Sequence, residues 1–134
     1  MMRSSQQSLI RLQLSGLSHA LEDSSVRLIS NMPNLTFLDI SYAKKITDQG
    51  LVHFADKKLP LTSLVINGLS SITVAGFSAL LTCCSTSLLD LECAFLDQDG
   101  MKGDFFEKIA FCWQLETLDI SGCNKIVDAS FMKL

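Results

Sequence analysis

The stretch Leu35-Thr36-Phe37-Leu38-Asp39-Ile40 contains the pattern that decides the fold of this 134-residue chain. Its apolar and intervening positions alternate as in a short strand with one buried face. The same pattern, Leu-x-x-Leu-x followed by Leu, Ile or Cys, begins at residues 9, 35, 61, 88 and 115. These starts lie 26 or 27 residues apart, so the sequence predicts about five copies of one structural unit.

The residues after each strand predict a turn and then a helix. In the second copy, residues 41–45 turn the chain and Thr47 or Asp48 can cap the helix that follows. Leu51 and Phe54 have the spacing of a helix face that packs on the strand layer. The expected fold is therefore an α/β solenoid of strand-turn-helix repeats, with a parallel sheet on the concave face and helices on the convex face.

The fourth copy departs from this pattern. Residues 94–104 contain Asp99 where the neighbouring copies have Ile, which predicts a longer and looser loop before the helix at residues 105–110. Of Phe105 and Phe106, we expect one to face the core and the other to be partly covered. We expect Trp113, at a repeat junction, to pack in or near the core.

Composition argues against two classes of partner. The net charge is −3 and the isoelectric point is near 5.2, so the chain has no overall positive field for nucleic acid or an anionic membrane. No apolar run approaches the roughly 18 residues that a spanning helix needs. We expect protein partners, no nucleic acid and no direct membrane span.

The cysteines are odd in number and lack C-x-x-C spacing, and most occupy apolar repeat positions. They are Cys83, Cys84, Cys93, Cys112 and Cys123. This pattern predicts free, buried thiols rather than a metal or catalytic site. It favours a reducing intracellular location such as the cytoplasm, with an organelle or a cytoskeletal complex left open.

Catalysis has little support in the sequence. His19 and His53 lie in different repeats without metal-ligand spacing, and the carboxylates recur at repeat spacing instead of forming an acid–base pair. Nucleophile-elbow and phosphate-loop motifs are absent. We predict a chain that is not an enzyme, with no catalytic residues, no metal and no cofactor.

The side chains between the buried leucines should line the concave face, where a partner would bind. The predicted binding residues are Arg11, Gln13, Phe37, Asp39, Ser63, Val65, Asp90, Glu92, Thr117 and Asp119. The recurring carboxylates favour a partner with a basic contact surface, and Phe37 is the best candidate anchor. Two alternatives stay open: the aspartates belong to the repeat whatever the ligand, and Phe37 leans on the neighbouring strand.

The stretch 115–128, Leu-Glu-Thr-Leu-Asp-Ile-Ser-Gly-Cys-Asn-Lys-Ile-Val-Asp, resembles the cysteine-containing subclass of leucine-rich repeats, and residues 38–51 are similar. The resemblance implies a protein–protein interaction module like the substrate-recognition repeats of F-box receptors in the ubiquitin pathway. No F-box fits before residue 9 of this chain. Similar repeats without an F-box occur in fixed subunits of axonemal complexes and in mitochondrial assembly factors, which is the alternative.

The expected organisation is an N-terminal extension at residues 1–8 and a leucine-rich-repeat domain at residues 9–134, with its fifth repeat truncated. The apolar residues Leu118, Ile120 and Ile126 of that repeat would then face solvent. We therefore expect another chain, or missing sequence, to cover the C-terminal coil.

Overall fold

Five strands in one parallel sheet organise the molecule, a computed structural model that describes residues 5–126. The strands are β1 (Arg11–Gln13), β2 (Phe37–Asp39), β3 (Ser63–Val65), β4 (Asp90–Glu92) and β5 (Thr117–Asp119). The helices are α1 (Ser5–Ser8), α2 (Asp23–Ile29), α3 (Asp48–Leu51), α4 (Val74–Cys84) and α5 (Phe105–Ala110). Short 3-10 helices occupy Ser15–Leu17, Val52–Phe54 and Asp99–Met101. Strand order follows chain order, so the predicted α/β solenoid is confirmed.

The core runs as a stripe between the sheet and the helices. The central residue of each strand is a leucine, and these leucines pair in register across the sheet: Leu12, Leu38, Leu64, Leu91 and Leu118. The middle three are buried and the two at the ends are partly buried. Burial therefore comes from stacking neighbouring coils, as expected when each repeat contacts only its neighbours.

Aspartates at the starts of α2 and α3 join the first coil to the second and the second coil to the third. Asp23 accepts hydrogen bonds from the backbone N–H and hydroxyl of Thr47, at 2.7 and 2.6 Å. Asp48 accepts the equivalent bonds from Thr73, at 2.9 and 2.5 Å, and a third from the N–H of Gly76 at 3.1 Å. The two threonines are N-caps, which confirms the predicted cap at Thr47.

The irregular fourth loop is more ordered than predicted. A 3-10 helix spans Asp99–Met101, and the fully buried side chain of Met101 supplies the apolar group that Asp99 does not. Asp99 is exposed and pairs with Lys102 at 3.1 Å, which holds the pKa of that carboxyl below its ordinary value. An apolar residue two positions later therefore compensates for the missing isoleucine.

Two predictions about aromatic packing are wrong. Phe105 and Phe106 are both fully buried. The ring of Phe105 stacks on that of Phe77 with centroids 4.8 Å apart, and the ring of Phe106 meets that of Phe105 edge-on with centroids 5.1 Å apart. Trp113 is 72% exposed instead of packed in the core. The small side chain of Cys112 takes the inward position at that junction, which turns the indole outward.

All five cysteines are free and buried, as predicted. Burial raises the pKa of Cys112 to about 11 and also raises the pKa of Cys93 and Cys123. These three thiols are consequently protonated at neutral pH, whereas a nucleophile or metal ligand needs the thiolate.

The fifth coil differs from its predicted exposure in one respect. Ile126 is 1% exposed, so the expectation that it faces solvent is wrong, because it joins the core cluster beside Cys123. Leu118 and Ile120 are partly buried. The end of the predicted fifth repeat, residues 127–134, lies outside the described residues. Within residues 5–126, no helix has the length and apolarity to cross a bilayer.

Candidate protein-binding face

The face of the sheet opposite the core carries two columns of side chains, called here the sheet face. One column contains Arg11, Phe37, Ser63, Asp90 and Thr117, and the other contains Gln13, Asp39, Val65, Glu92 and Asp119. They flank the central leucines in each strand, and alternation along a strand sends them to the opposite side. The structure thus brings all ten predicted binding residues onto one surface. Their role in binding stays a prediction.

Arg11 and Phe37 form a stacked pair at the N-terminal end of the sheet face. The guanidinium carbon of Arg11 lies 3.6 Å from the centroid of the Phe37 ring, within the range of a cation–π contact. Phe37 is half-buried. The proposed anchor is therefore partly covered by its neighbouring strand, and a partner would meet the pair instead of a bare ring.

Two of the predicted groove carboxylates hold turns of the solenoid. Asp39 is only 7% exposed, and its Oδ1 accepts a hydrogen bond from the Ser41 N–H at 3.0 Å. Asp119 accepts the equivalent bond from Ser121 at 2.8 Å. Hydrogen bonds from the Ser121 hydroxyl and N–H keep the pKa of Asp119 below its ordinary value. The aspartate of this strand pattern therefore has a local structural task, as the alternative interpretation supposed.

Negative charge available to a partner is concentrated on the part of the sheet face that β4 and β5 form. Asp90 and Glu92 are exposed and Asp119 is partly exposed, and we call these three residues the acidic patch. Asp90 accepts a hydrogen bond from the Thr117 hydroxyl, and Glu92 accepts one from the Asn67 amide at 3.3 Å. Within residues 5–126, neither Asp90 nor Glu92 forms an ion pair with a Lys or Arg. Neither charge is therefore neutralised by an ion pair within the described residues.

Sequence reasoning missed Asn67, which ties three coils together just after the strands. Its N–H donates to the Ser41 hydroxyl at 3.1 Å, and its side-chain oxygen accepts from the Ala94 N–H at 2.8 Å. Its amide nitrogen also donates to Glu92, so Asn67 fixes the position of one patch carboxylate. The available signal was an asparagine at a position that three of the other four copies fill with serine.

Tyr42 and Phe95 were also missed. Their side chains are 49% and 56% exposed at the turns that follow β2 and β4. They occupy the same repeat position two coils apart, and the coils beside them have Gly68 and Gly122 there. That alternation was visible in the sequence as a recurring position filled by either glycine or an aromatic residue.

The histidines and the potential metal ligands of the described residues are not gathered into one site. In residues 5–126, no three His, Cys, Asp or Glu side chains are grouped as metal ligands. His19 lies in a turn and His53 in the 3-10 helix Val52–Phe54 of another coil.

The comparison with protein families agrees with this geometry. A family model described as Leucine Rich repeat matches residues 31–55, which contain β2 and α3. Together with the five parallel strands, this match places the fold in the class of leucine-rich-repeat solenoids. Domains of this class generally mediate protein–protein interaction and are generally non-catalytic.

Proposed function

We propose that this chain binds a basic region of a partner protein on its sheet face, as the substrate-recognition repeats of an F-box-type ubiquitin-ligase receptor bind their substrates. The observation that carries the proposal is the acidic patch, where Asp90 and Glu92 are exposed without a compensating cation among the described residues. A partner surface rich in Lys or Arg would find a complementary field there, which favours encounter and correct orientation. In this role the chain presents a substrate and carries out no chemistry.

The second candidate is a fixed subunit of a large assembly, of the axonemal or mitochondrial type, without a ubiquitin role. The exposure of the last strand favours it. Leu118 of β5 and Ile120, which follows it, are only partly buried, whereas the equivalent Leu64 and Ile66 of the third coil are fully buried. Another subunit packed against this coil would complete the same burial, since a solenoid coil normally contacts a neighbour on each side.

The test combines purification from the native source with a charge variant. The native complex is sized by chromatography and its proteins are identified by mass spectrometry. Cullin-ligase components together with a variable substrate support the receptor, and a large complex of constant composition supports the assembly subunit. The binding-face variant is Asp90→Asn with Glu92→Gln, because both amides keep the acceptor oxygens used by Thr117 and Asn67.

The matched control removes the same charge elsewhere. Asp56→Asn with Asp104→Asn changes two exposed carboxylates that lie outside the strands. We expect the patch variant to weaken capture of the partner and to reduce its dependence on salt, while the control captures it as the wild type does. Equal capture by the wild type, the patch variant and the control would refute binding through the acidic patch.

A further inference from the structure

A column of alternating aromatic residues and glycines follows the C-terminal ends of the strands. Backbone hydrogen bonds extend the sheet ladder to this column, from Tyr42 to Asn67 at 2.8 Å, from Gly68 to Ala94 at 2.9 Å and from Phe95 to Ser121 at 2.7 Å. The members of the column are Tyr42, Gly68, Phe95 and Gly122. All four have positive φ, between 60° and 74°. One edge of the sheet therefore repeats a left-handed turn at the same place in successive coils.

This conformation makes the two aromatic residues unusual. Glycine adopts positive φ without steric cost, but a bulky residue there is an outlier that the surrounding structure must hold in place. Each ring lies on the glycine of the next coil, because a Cβ added to Gly68 would overlap the Tyr42 ring and one added to Gly122 would overlap the Phe95 ring. Each ring thus covers backbone on one side and is about half exposed to solvent.

The charges near Tyr42 and Phe95 indicate which chemical group the two rings would bind. Glu92 lies three residues before Phe95, and Asp90 and Asp119 complete the acidic patch on the adjoining sheet face. The same sheet shows an arginine stacked on an aromatic ring, where Arg11 lies 3.6 Å from the centroid of Phe37. A planar guanidinium can stack on a ring and donate to carboxylates at the same time, which a lysine ammonium does less well.

We propose that Tyr42 and Phe95 are two stacking sites for arginine side chains of the partner protein, with the acidic patch balancing their charge. The proposal rests on the proposed function, since it assumes a basic partner on this face. Neighbouring strands lie about 4.8 Å apart, so rings two coils apart are separated by roughly 10 Å. An extended segment advances about 3.3 Å per residue, so arginines three residues apart would reach both rings.

The experiment measures binding of a defined probe by isothermal titration calorimetry at low ionic strength. The probe is a blocked peptide of four Arg-Gly-Ser repeats, and its controls contain lysine or uncharged citrulline in place of arginine. The protein variants are Tyr42→Leu with Phe95→Leu, which keeps apolar cover over the glycines, and Tyr42→Gly with Phe95→Gly, which has the residue that the neighbouring coils use. Circular dichroism and thermal unfolding establish that each variant is folded.

The matched control is Phe111→Leu with Trp113→Leu, which removes two exposed rings that precede β5 at the opposite edge of the sheet. We expect both pairs of Tyr42 and Phe95 variants to bind the arginine probe about tenfold more weakly, since two cation–π contacts at exposed sites amount to roughly that ratio. The control should bind as the wild type does. The lysine and citrulline probes should bind the wild type more weakly than the arginine probe.

Different failures separate the two proposals. Wild-type binding by the Leu and Gly variants, combined with weak binding by Asp90→Asn with Glu92→Gln, would overturn the stacking sites and leave the acidic patch as the basis of recognition. Equal affinity for the lysine and arginine probes would likewise overturn the arginine preference. Failure of the wild type to bind the arginine probe would overturn the stacking proposal, and the native partner would then test the patch independently.

Discussion

Replacement of Asp48 by alanine tests whether the solenoid is held together by bonds between coils. The carboxylate of Asp48 accepts three hydrogen bonds from the third coil, two from Thr73 and one from Gly76. All three partners sit in or just before the first turn of α4, the longest helix among the described residues. The variant Asp48→Ala removes these bonds at once and leaves the N–H of Gly76, which is buried, without its acceptor.

The expected loss of stability follows from the number of bonds. A net hydrogen bond contributes about 1 kcal/mol, so three bonds to a half-buried carboxylate give a loss of about 3 kcal/mol in the free energy of unfolding. Unfolding entropy near 2.1 cal/mol/K per residue makes this a fall of about 10 °C in Tm for the 134-residue chain. Asp48→Asn should cost only about 1 kcal/mol, because its amide oxygen still accepts from both N–H groups.

The assay is urea unfolding followed by circular dichroism, with Asp56→Ala as the matched control. Asp56 is exposed and lies after the 3-10 helix Val52–Phe54, so its replacement should change stability by less than about 0.5 kcal/mol. A loss below about 1 kcal/mol for Asp48→Ala, or one equal to that of the control, would refute the role given to these bonds.

A double variant tests the close contact between Gly76 and the Asp48 carboxylate. In the wild type, a Cβ on Gly76 would overlap the Asp48 carboxylate, so Gly76→Ala should destabilise the protein. In the Asp48→Ala background the overlap with the carboxylate is gone, and the closest remaining neighbour is the end of the Leu51 side chain, 3.1 Å from the added Cβ, which has to shift only slightly. Alanine should then stabilise α4 by up to about 1 kcal/mol because it is the better helix former. The effect of Gly76→Ala is thus expected to change sign, and an effect that is the same in both backgrounds would contradict the packing described.

Three further outcomes are expected from the same assay. Phe105→Ala should lower the free energy of unfolding by about 4 kcal/mol, because the ring is fully buried and stacked on Phe77, and a loss below about 1.5 kcal/mol would contradict that packing. Trp113→Ala should change stability by less than about 0.5 kcal/mol, since the indole is 72% exposed, and a loss above about 1.5 kcal/mol would show that it packs after all. The native thiol of Cys112 keeps a proton that the unfolded chain releases, so the contribution of this group to stability should be constant below pH 9.0 and fall as the pH rises toward 11. Cys112→Ala should remove up to about 3 kcal/mol of that fall, and an identical pH dependence in the variant would contradict the raised pKa.

The register of the strands was predictable because the same strand pattern occurs five times along the chain. The positions flanking each central leucine are predicted to line one face, and Phe37 pairs with Arg11 and Ser63, which stand at the same place in their own repeats. A strand has a side-chain period of two, so one buried leucine per strand is enough to orient its neighbours. The same argument applies to Thr47, whose place before an apolar helical pattern predicted its role as a cap.

The exposure of individual side chains was harder to predict, because it depends on contacts with residues outside the short sequence pattern of one repeat. The place of Trp113 at a repeat junction predicts packing in or near the core, but the neighbouring Cys112 takes the inward position and the indole is exposed. Phe106 is fully buried because the ring of Phe105 meets its edge within the same cluster. Packing between adjacent coils determines which side chain points into the core, so the sequence pattern within one repeat does not predict it.

The carboxylates of the sheet face differ in whether they stabilise a turn or stay exposed to a partner. The Asp39 side chain is directed to the Ser41 N–H and is 7% exposed, so its charge serves a turn. Glu92 stands in the same column but is one methylene longer, and it accepts from the Asn67 side chain while staying exposed. Recognition by this surface should therefore depend on the fourth coil more than on the second, although an acidic residue stands at the same place in both. The repeat pattern predicts where the charges stand, and the hydrogen bonds that each carboxylate forms, within its own coil for Asp39 and to the neighbouring coil for Glu92, set how much of it a partner can reach.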